Sequence, residues 1–168
     1  MKQLPTRAEI VETLLKSYKR YYNITLSEEE PLVARCEYFE HSEKYVLHRK
    51  AELWSADNEE FLYLFQVPHL TAEIFEKCRT FAYEDGMPRL NIGPGHMASA
   101  ITVVVVCDTC DAEAETAVKK TRIHKSFHFS LHGWMNVLTT CVAAENGRMA
   151  ANYAGRSVMK VMKKVLYS

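Results

Sequence analysis

The 168-residue sequence has no net charge to spend: 21 Lys and Arg residues balance 21 Asp and Glu residues. A dedicated nucleic-acid binder draws its affinity from neutralised phosphates and usually shows an overall basic excess. A nucleic-acid role would therefore have to come from a local basic face. No apolar run approaches the roughly 18 residues that a membrane-spanning helix needs, and the opening MKQLPTRAEI lacks the apolar stretch of a signal peptide. Glycine, at 6 residues, and proline, at 5, are too scarce for a low-complexity or fibrous chain. Cysteine is also sparse and odd in number, 5 residues from Cys36 to Cys141, unlike a secreted disulfide framework. These absences point to an ordered chain in a reducing cytoplasm, with mostly free thiols and no membrane partner.

What is present suits one globular domain spanning residues 1–168. The sequence is 48% hydrophobic and 25% charged, and a chain of this size buries roughly 70% of the surface its unfolded form exposes. TRAEIVETLLKSYKRYY opens with Thr6 and has Glu9 three residues on, the spacing at which each side chain satisfies an orphan N–H of a helix start. Ile10, Val11, Leu14, Leu15 and Tyr18 then recur at helical spacing.

From Val33 the period changes to two. ARCEYFEH, KYVLHRKAELW and EFLYLFQV predict a three-stranded antiparallel meander, which Pro68 ends because it cannot donate to a ladder. In the middle strand Tyr45, Leu47, Ala51 and Leu53 share one face and His48, Lys50 and Glu52 the other. Thr71 caps a second helix whose buried stripe is Ile74, Phe75, Cys78, Phe81 and Ala82, with Gly86 suited to its C-terminal turn. AITVVVVC does not alternate and predicts a central strand covered on both faces. A third helix follows Asp108 to Asp111, Asn146-Gly147 marks a hairpin, and the last helix should bury Val158, Met159, Val161, Met162, Val165 and Leu166. The expected class is α/β, with α+β as the variant: one mixed sheet, an antiparallel meander plus a central strand, helices packed on it, in the order αβββαβαβββα.

Four features invite chemistry. Cys107 and Cys110 form a CxxC between a strand and a helix start, where the helix dipole lowers a thiol pKa. Redox or metal use is one reading; a buried Cys107 beside a Thr109 or Asp111 cap is the other, since two cysteines supply only half of a structural zinc site. RIHKSFHFSLHGW, residues 122–134, places His124, His128 and His132 four apart. Ile123, Phe127, Phe129 and Leu131 between them set the period at two, so a strand is expected, holding successive histidines about 13 Å apart. No single ion spans that distance, which leaves a polar strand face with His128 at its middle, facing Glu52 or His48. NIGPGHM reads as a structural turn without the lysine of a phosphate loop. Lys119, Lys120, Arg122 and Lys125 would have to join the basic side of the last helix to make a nucleic-acid patch. Aromatic residues beyond the needs of the core would favour a homodimer formed through an uncovered sheet face.

The element order, with AELWSADNEEFLYLFQVPHLTAEIFEKC as its central hairpin and next helix, resembles the core of the restriction-endonuclease-like, PD-(D/E)xK, nucleases. That resemblance implies a divalent metal held by carboxylates on two strands and a water activated beside a lysine. Glu52 matches the first carboxylate position, Gln66 the acidic position of the triplet, and His48 and Lys50 lie next to them; Pro68 stands where the lysine belongs. The chain as a whole, notably KTRIHKSF and SLHGW, is similar to uncharacterised small cytoplasmic proteins of Gram-positive bacteria. The expected function is therefore a non-catalytic domain that binds or self-associates, most simply as a dimer, with no cofactor. The alternatives are a divergent metal-dependent nuclease or hydrolase using Glu52, Gln66, His48, Lys50 and His128, and a thiol or metal role for Cys107 and Cys110.

Overall fold

The computed structural model describes residues 3–41, 57–94 and 96–168. The expected strand KYVLHRKAELW, and with it Glu52, His48 and Lys50, lies outside the described residues.

Helix α1 (Arg7–Tyr18) begins at the capping box read from the sequence. Thr6 Oγ1 accepts from the Glu9 amide at 3.2 Å, and Glu9 Oε1 accepts from the Thr6 amide at 3.4 Å. Strands β1 (Asn23–Leu26), β2 (Leu32–His41) and β3 (Asp57–Leu70) form an antiparallel meander. β4 (His96–Cys110) and β6 (Trp134–Ala143) then join parallel to β3. Short strands β5 (His124–Ser126) and β7 (Met149–Ala151) pair with opposite ends of the outer edge of β6. The described residues thus contain one seven-stranded mixed sheet of order β1-β2-β3-β4-β6-β5, with β7 beside β6.

The helices divide between its two faces. α2 (Ala72–Gly86) and α3 (Ala112–Lys120) carry the chain from β3 to β4 and from β4 towards β6. Their Phe75, Cys78, Ala82, Ala114 and Val118 pack on Tyr63, Phe65, Val103 and Val105. α1 and α4 (Arg156–Tyr167) lie on the other face, over Leu62, Leu64, Val104 and Val106. The fold class is the α/β mixed sheet that the hydrophobic periods imply. Residues 101 and 103–107 of β4 are fully buried because helices cover both sides of that strand.

Several local expectations need correction. β1 forms within a stretch too short and polar to announce itself, so the meander begins earlier than residue 33. Pro68 does not end its strand. The ladder with β2 ends at Phe65, the Gln66 amide donates once more on that side to the Pro31 carbonyl at 3.0 Å, and from Val67 to His69 the strand pairs with β4 alone, through Val67–Cys107 and His69–Thr109. A residue without an N–H is tolerated on a free edge. Gly86 stays helical with φ −80°, and what needs it is proximity, since a Cβ there would sit 3.0 Å from Ile101 Cδ1. Thr71 does cap α2, accepting from the Ile74 amide at 3.1 Å, but Phe81, expected in its buried stripe, is 38% exposed, with the Arg35 guanidinium over its ring at 5.5 Å. The Asn146-Gly147 hairpin joins β6 to β7, with Gly147 at φ 72°.

The histidine stretch departs furthest. β5 stops at Ser126, and His128, Phe129 and Ser130 adopt left-handed φ values of 50°, 53° and 68°. The turn is closed by bonds from the His132 amide to the Phe127 carbonyl and from the Phe127 amide to the Gly133 carbonyl. Instead of standing apart on a strand, the His128 and His132 rings stack with centroids 4.7 Å apart. Phe129, expected on an apolar strand face, is 95% exposed.

The homodimer expectation assumed a bare sheet face, and both faces carry helices. α3 and α4 also lie on opposite faces, so Lys119 and Lys120 do not share a surface with Lys160, Lys163 and Lys164.

Candidate ligand-binding cavity

The α1/α4 face has a gap that the sequence did not announce. Adjacent strands bring their alternate residues into transverse rows. One row runs Tyr38–Glu60–Ala100–Asn136 and the next Cys36–Leu62–Thr102–Leu138. Ala98 and Ala100 are too small to reach the helices above them, and a cavity of about 690 Å3 opens there. That volume lies within the range of small-molecule sites, roughly 300–1,000 Å3.

Helix α4 forms the apolar wall. The sequence predicts Val161 and Val165 buried, but they are 55% and 37% exposed, and both line the cavity with Val158 and Met162. Only Met162 of this stripe is buried. Leu14, Ser17 and Tyr18 of α1 form the facing wall, and Tyr21 and Tyr22 beyond its end complete the rim.

The polar groups gather around Glu60. Its carboxylate accepts hydrogen bonds from the Tyr22 hydroxyl and, at 2.5 Å, from Thr102 Oγ1. A carboxylate offers about four acceptor positions, so capacity remains. Tyr18 stacks edge-on against Tyr22 at 5.5 Å, and Tyr22 against Tyr38 at 6.1 Å. The Tyr18 hydroxyl is buried and has no hydrogen-bond partner. Burial, reinforced by repulsion from Cys36 and Glu60, lifts the Tyr18 hydroxyl above the ordinary phenol range. Burial and the Glu60 charge do the same to Tyr22. Burial and Glu60 also push the Cys36 thiol up to about 12. Both tyrosines therefore stay protonated at neutral pH, and Tyr22 donates its hydroxyl proton to Glu60. Among the described residues, no Lys, Arg or His lines the cavity and no cation pairs with Glu60.

The residues singled out from the sequence lie elsewhere. Gln66 shares the strand face of Glu60, but six residues on, roughly 20 Å away. Its amide oxygen accepts from Arg7 Nη1 at 3.0 Å, and Arg7 Nε donates to Asp108 at 3.1 Å. This is a link between α1 and the sheet. His128 sits on the exposed turn described above. Among the described residues, no group of three or more His, Cys, Asp or Glu side chains is arranged to hold a metal ion.

Cys107 is fully buried and donates to the Val142 carbonyl; burial, with Cys110 adjacent, pushes its thiol up to about 12. Cys110 is half-buried, and a hydrogen bond from Cys141 holds its thiol below the ordinary range despite burial. The hydrogen bond with Cys110, together with burial, drives Cys141 upward. All five cysteines are free thiols.

Two arrangements escaped the sequence reading. His69 bridges Thr109 Oγ1 at 2.6 Å and Asp111 Oδ1 at 2.7 Å. It occupies the carboxylate that would otherwise cap α3, and Asp111 makes no side-chain cap bond. His69 and Thr109 are register partners on β3 and β4, so the contact follows from strand pairing, and the cavity does not reach it. The other is Glu60 itself, passed over because a lone acidic residue at a strand start carries no motif. The one available signal was the alternation, which places Glu60 on the same face as Leu62 and Leu64.

Fold and site together define an α/β domain with helices on both sheet faces, one of which encloses an apolar cavity with an acidic anchor. The chain belongs to the family described as Domain of unknown function (DUF8052), whose sequence profile matches residues 6–164. No curated protein and no solved structure matches it.

Proposed function

We propose that this protein is a non-catalytic binding domain that takes a small, largely apolar molecule into the cavity between α1 and α4. The observation that carries this reading is the apolar stripe of α4, whose Val161 and Val165 face an open space of about 690 Å3 and not the core. Full burial of such a side chain contributes roughly 1.5–3 kcal/mol; Val161 and Val165, 55% and 37% exposed, forgo about a third to a half of that each, which an apolar ligand recovers. The small floor residues Ala98 and Ala100 support the same reading, since they make room that larger side chains would fill. The cavity holds a carboxylate and phenols but pairs none of them with a base or nucleophile among its described residues, which favours binding over turnover. Cytoplasmic residence fits the five free thiols, and the reading is independent of whether the chain is a monomer or a dimer.

Titration with the neutral dye Nile red tests it. Saturable binding of one dye per chain is expected, weakened by more than about tenfold in Ala100→Leu, which fills the floor. Absence of saturable binding, or binding indifferent to Ala100→Leu in a variant that melts like the parent, would refute the reading.

A further inference from the structure

The same cavity restricts the chemistry of what it takes, and this step rests on the binding reading above. Among the described residues its polar end has acceptors and no cation. Glu60 is held by two hydroxyl donors, Tyr22 and Thr102, neither of which neutralises its charge. The nearest ionisable neighbours around it, Tyr18, Tyr22 and Cys36, are neutral acids that the Glu60 charge drives further from ionisation. A carboxylate in an apolar, partly enclosed place is costly unless a counter-charge reaches it. Tyr18 also lines the cavity, but its hydroxyl is buried without a partner and out of reach of a bound molecule. Tyr21, Tyr22 and Tyr38 surround this end with aromatic rings, which attract a cation through their negative faces.

We propose that the ligand is a primary or secondary amine bound as its ammonium ion, with an apolar body. The nitrogen sits at Glu60, its N–H groups donating to the acceptor positions of the carboxylate that Tyr22 and Thr102 leave open. The apolar body lies along Val158, Val161 and Val165 of α4. An anionic ligand is excluded, because it would meet Glu60 with no lysine or arginine on the cavity lining among the described residues. A neutral apolar molecule would fill the volume but leave Glu60 as it is.

Calorimetric titration of the full chain with n-octylammonium, 1-octanol and octanoate, all as monomers in solution, separates these cases. The order expected is octylammonium, then octanol weaker by about tenfold or more, equivalent to about 1.4 kcal/mol, then octanoate weakest. Glu60→Gln should abolish the preference for octylammonium over octanol. Glu113→Gln, on the solvent side of α3 on the opposite face, should retain it. Octanol binding as tightly as octylammonium would overturn the amine assignment while leaving an apolar-ligand cavity standing. A preference that survives Glu60→Gln would also overturn it. If none of the three binds, the binding reading fails as well. Because the ladder is measured first on the unaltered chain, the result does not depend on any variant folding.

Discussion

Glu59 and Glu60 are neighbours in sequence, both lie at the start of β3, and the sheet treats them in opposite ways. Glu59 points to the α2/α3 face and is buried. Its carboxylate accepts from the Asn91 amide at 2.8 Å, Asn91 Nδ2 at 2.7 Å and Ser99 Oγ at 2.8 Å. Glu60 points to the α1/α4 face, where two hydroxyls reach it and a third, on Tyr18, stays unused. The difference extends across both layers. On the α2/α3 face a Cβ at Gly86 would sit 3.0 Å from Ile101 Cδ1, the gap left beside Phe65 and Cys78 is smaller, about 430 Å3, and Glu59 is matched by donors from the same side. On the α1/α4 face an apolar helix stripe stands open, and no cation among the described residues pairs with Glu60. Our proposal assigns ligand binding to the second of these faces.

Packing should show the largest contrast. Phe75→Ala, a fully buried ring on α2, is expected to cost about 4 kcal/mol in urea unfolding, whereas Val161→Ala on α4 should cost less than about 0.5 kcal/mol. Comparable losses would mean that α4 is packed as tightly as α2. Next come the acids. Glu59→Leu orphans three donors and should cost about 3 kcal/mol, while Glu60→Leu orphans the buried Thr102 hydroxyl but leaves the half-buried Tyr22 hydroxyl near water, and should cost about 1–2 kcal/mol. Equal values would erase the distinction drawn between the two residues.

A smaller effect is readable in pH. On the filled face Asp85 accepts from Arg35 Nε at 3.0 Å and from the Tyr63 hydroxyl at 2.7 Å. Burial alone would raise its carboxyl, but these bonds outweigh burial and hold it below the usual carboxylate range. A depressed native pKa stabilises the fold above the unfolded value of about 3.9, and that contribution is lost as pH falls through the native value. Asp85→Asn should therefore cost about 2 kcal/mol at pH 7 and flatten the acid limb of the stability curve below about pH 4. An unchanged acid limb would contradict the assignment. The smallest effect is kinetic. With a thiol reagent at neutral pH, Cys110 should label first, while Cys36, Cys78, Cys107 and Cys141 wait on unfolding. Cys107 labelling ahead of Cys110 would overturn that order.

The elements set by periodicity and caps were legible before any coordinates. The Thr6 and Thr71 caps, the unbroken apolar β4, the Asn146-Gly147 hairpin and the mixed α/β sheet all follow from local chemistry that acts within a few residues. What stayed hidden depended on distant partners. α4 reads as a buried amphipathic helix, and nothing within its own sequence reveals that Ala98 and Ala100, some sixty residues earlier by count of the chain, leave Val161 and Val165 without neighbours. The histidine stretch reads as a strand because Phe127, Phe129 and Leu131 alternate correctly, yet β6 offers β5 only three register partners before the left-handed turn begins. Pro68 reads as a stop because the sequence does not show that its free side faces no partner strand. The candidate site was the least legible part, since Glu60, Tyr18 and Tyr22 form no motif and meet only when α1 lies over the sheet.

The account's central claim is that the α1/α4 face, and not the α2/α3 face, receives a ligand. Methyl NMR of the full chain titrated with n-octylammonium tests this most directly. The account predicts saturable shifts in the methyls of Val161, Val165 and Leu138, with those of Val103, Val105 and Val118 unmoved. Shifts centred on the α2/α3 face, or no saturable shift on α4, would contradict it.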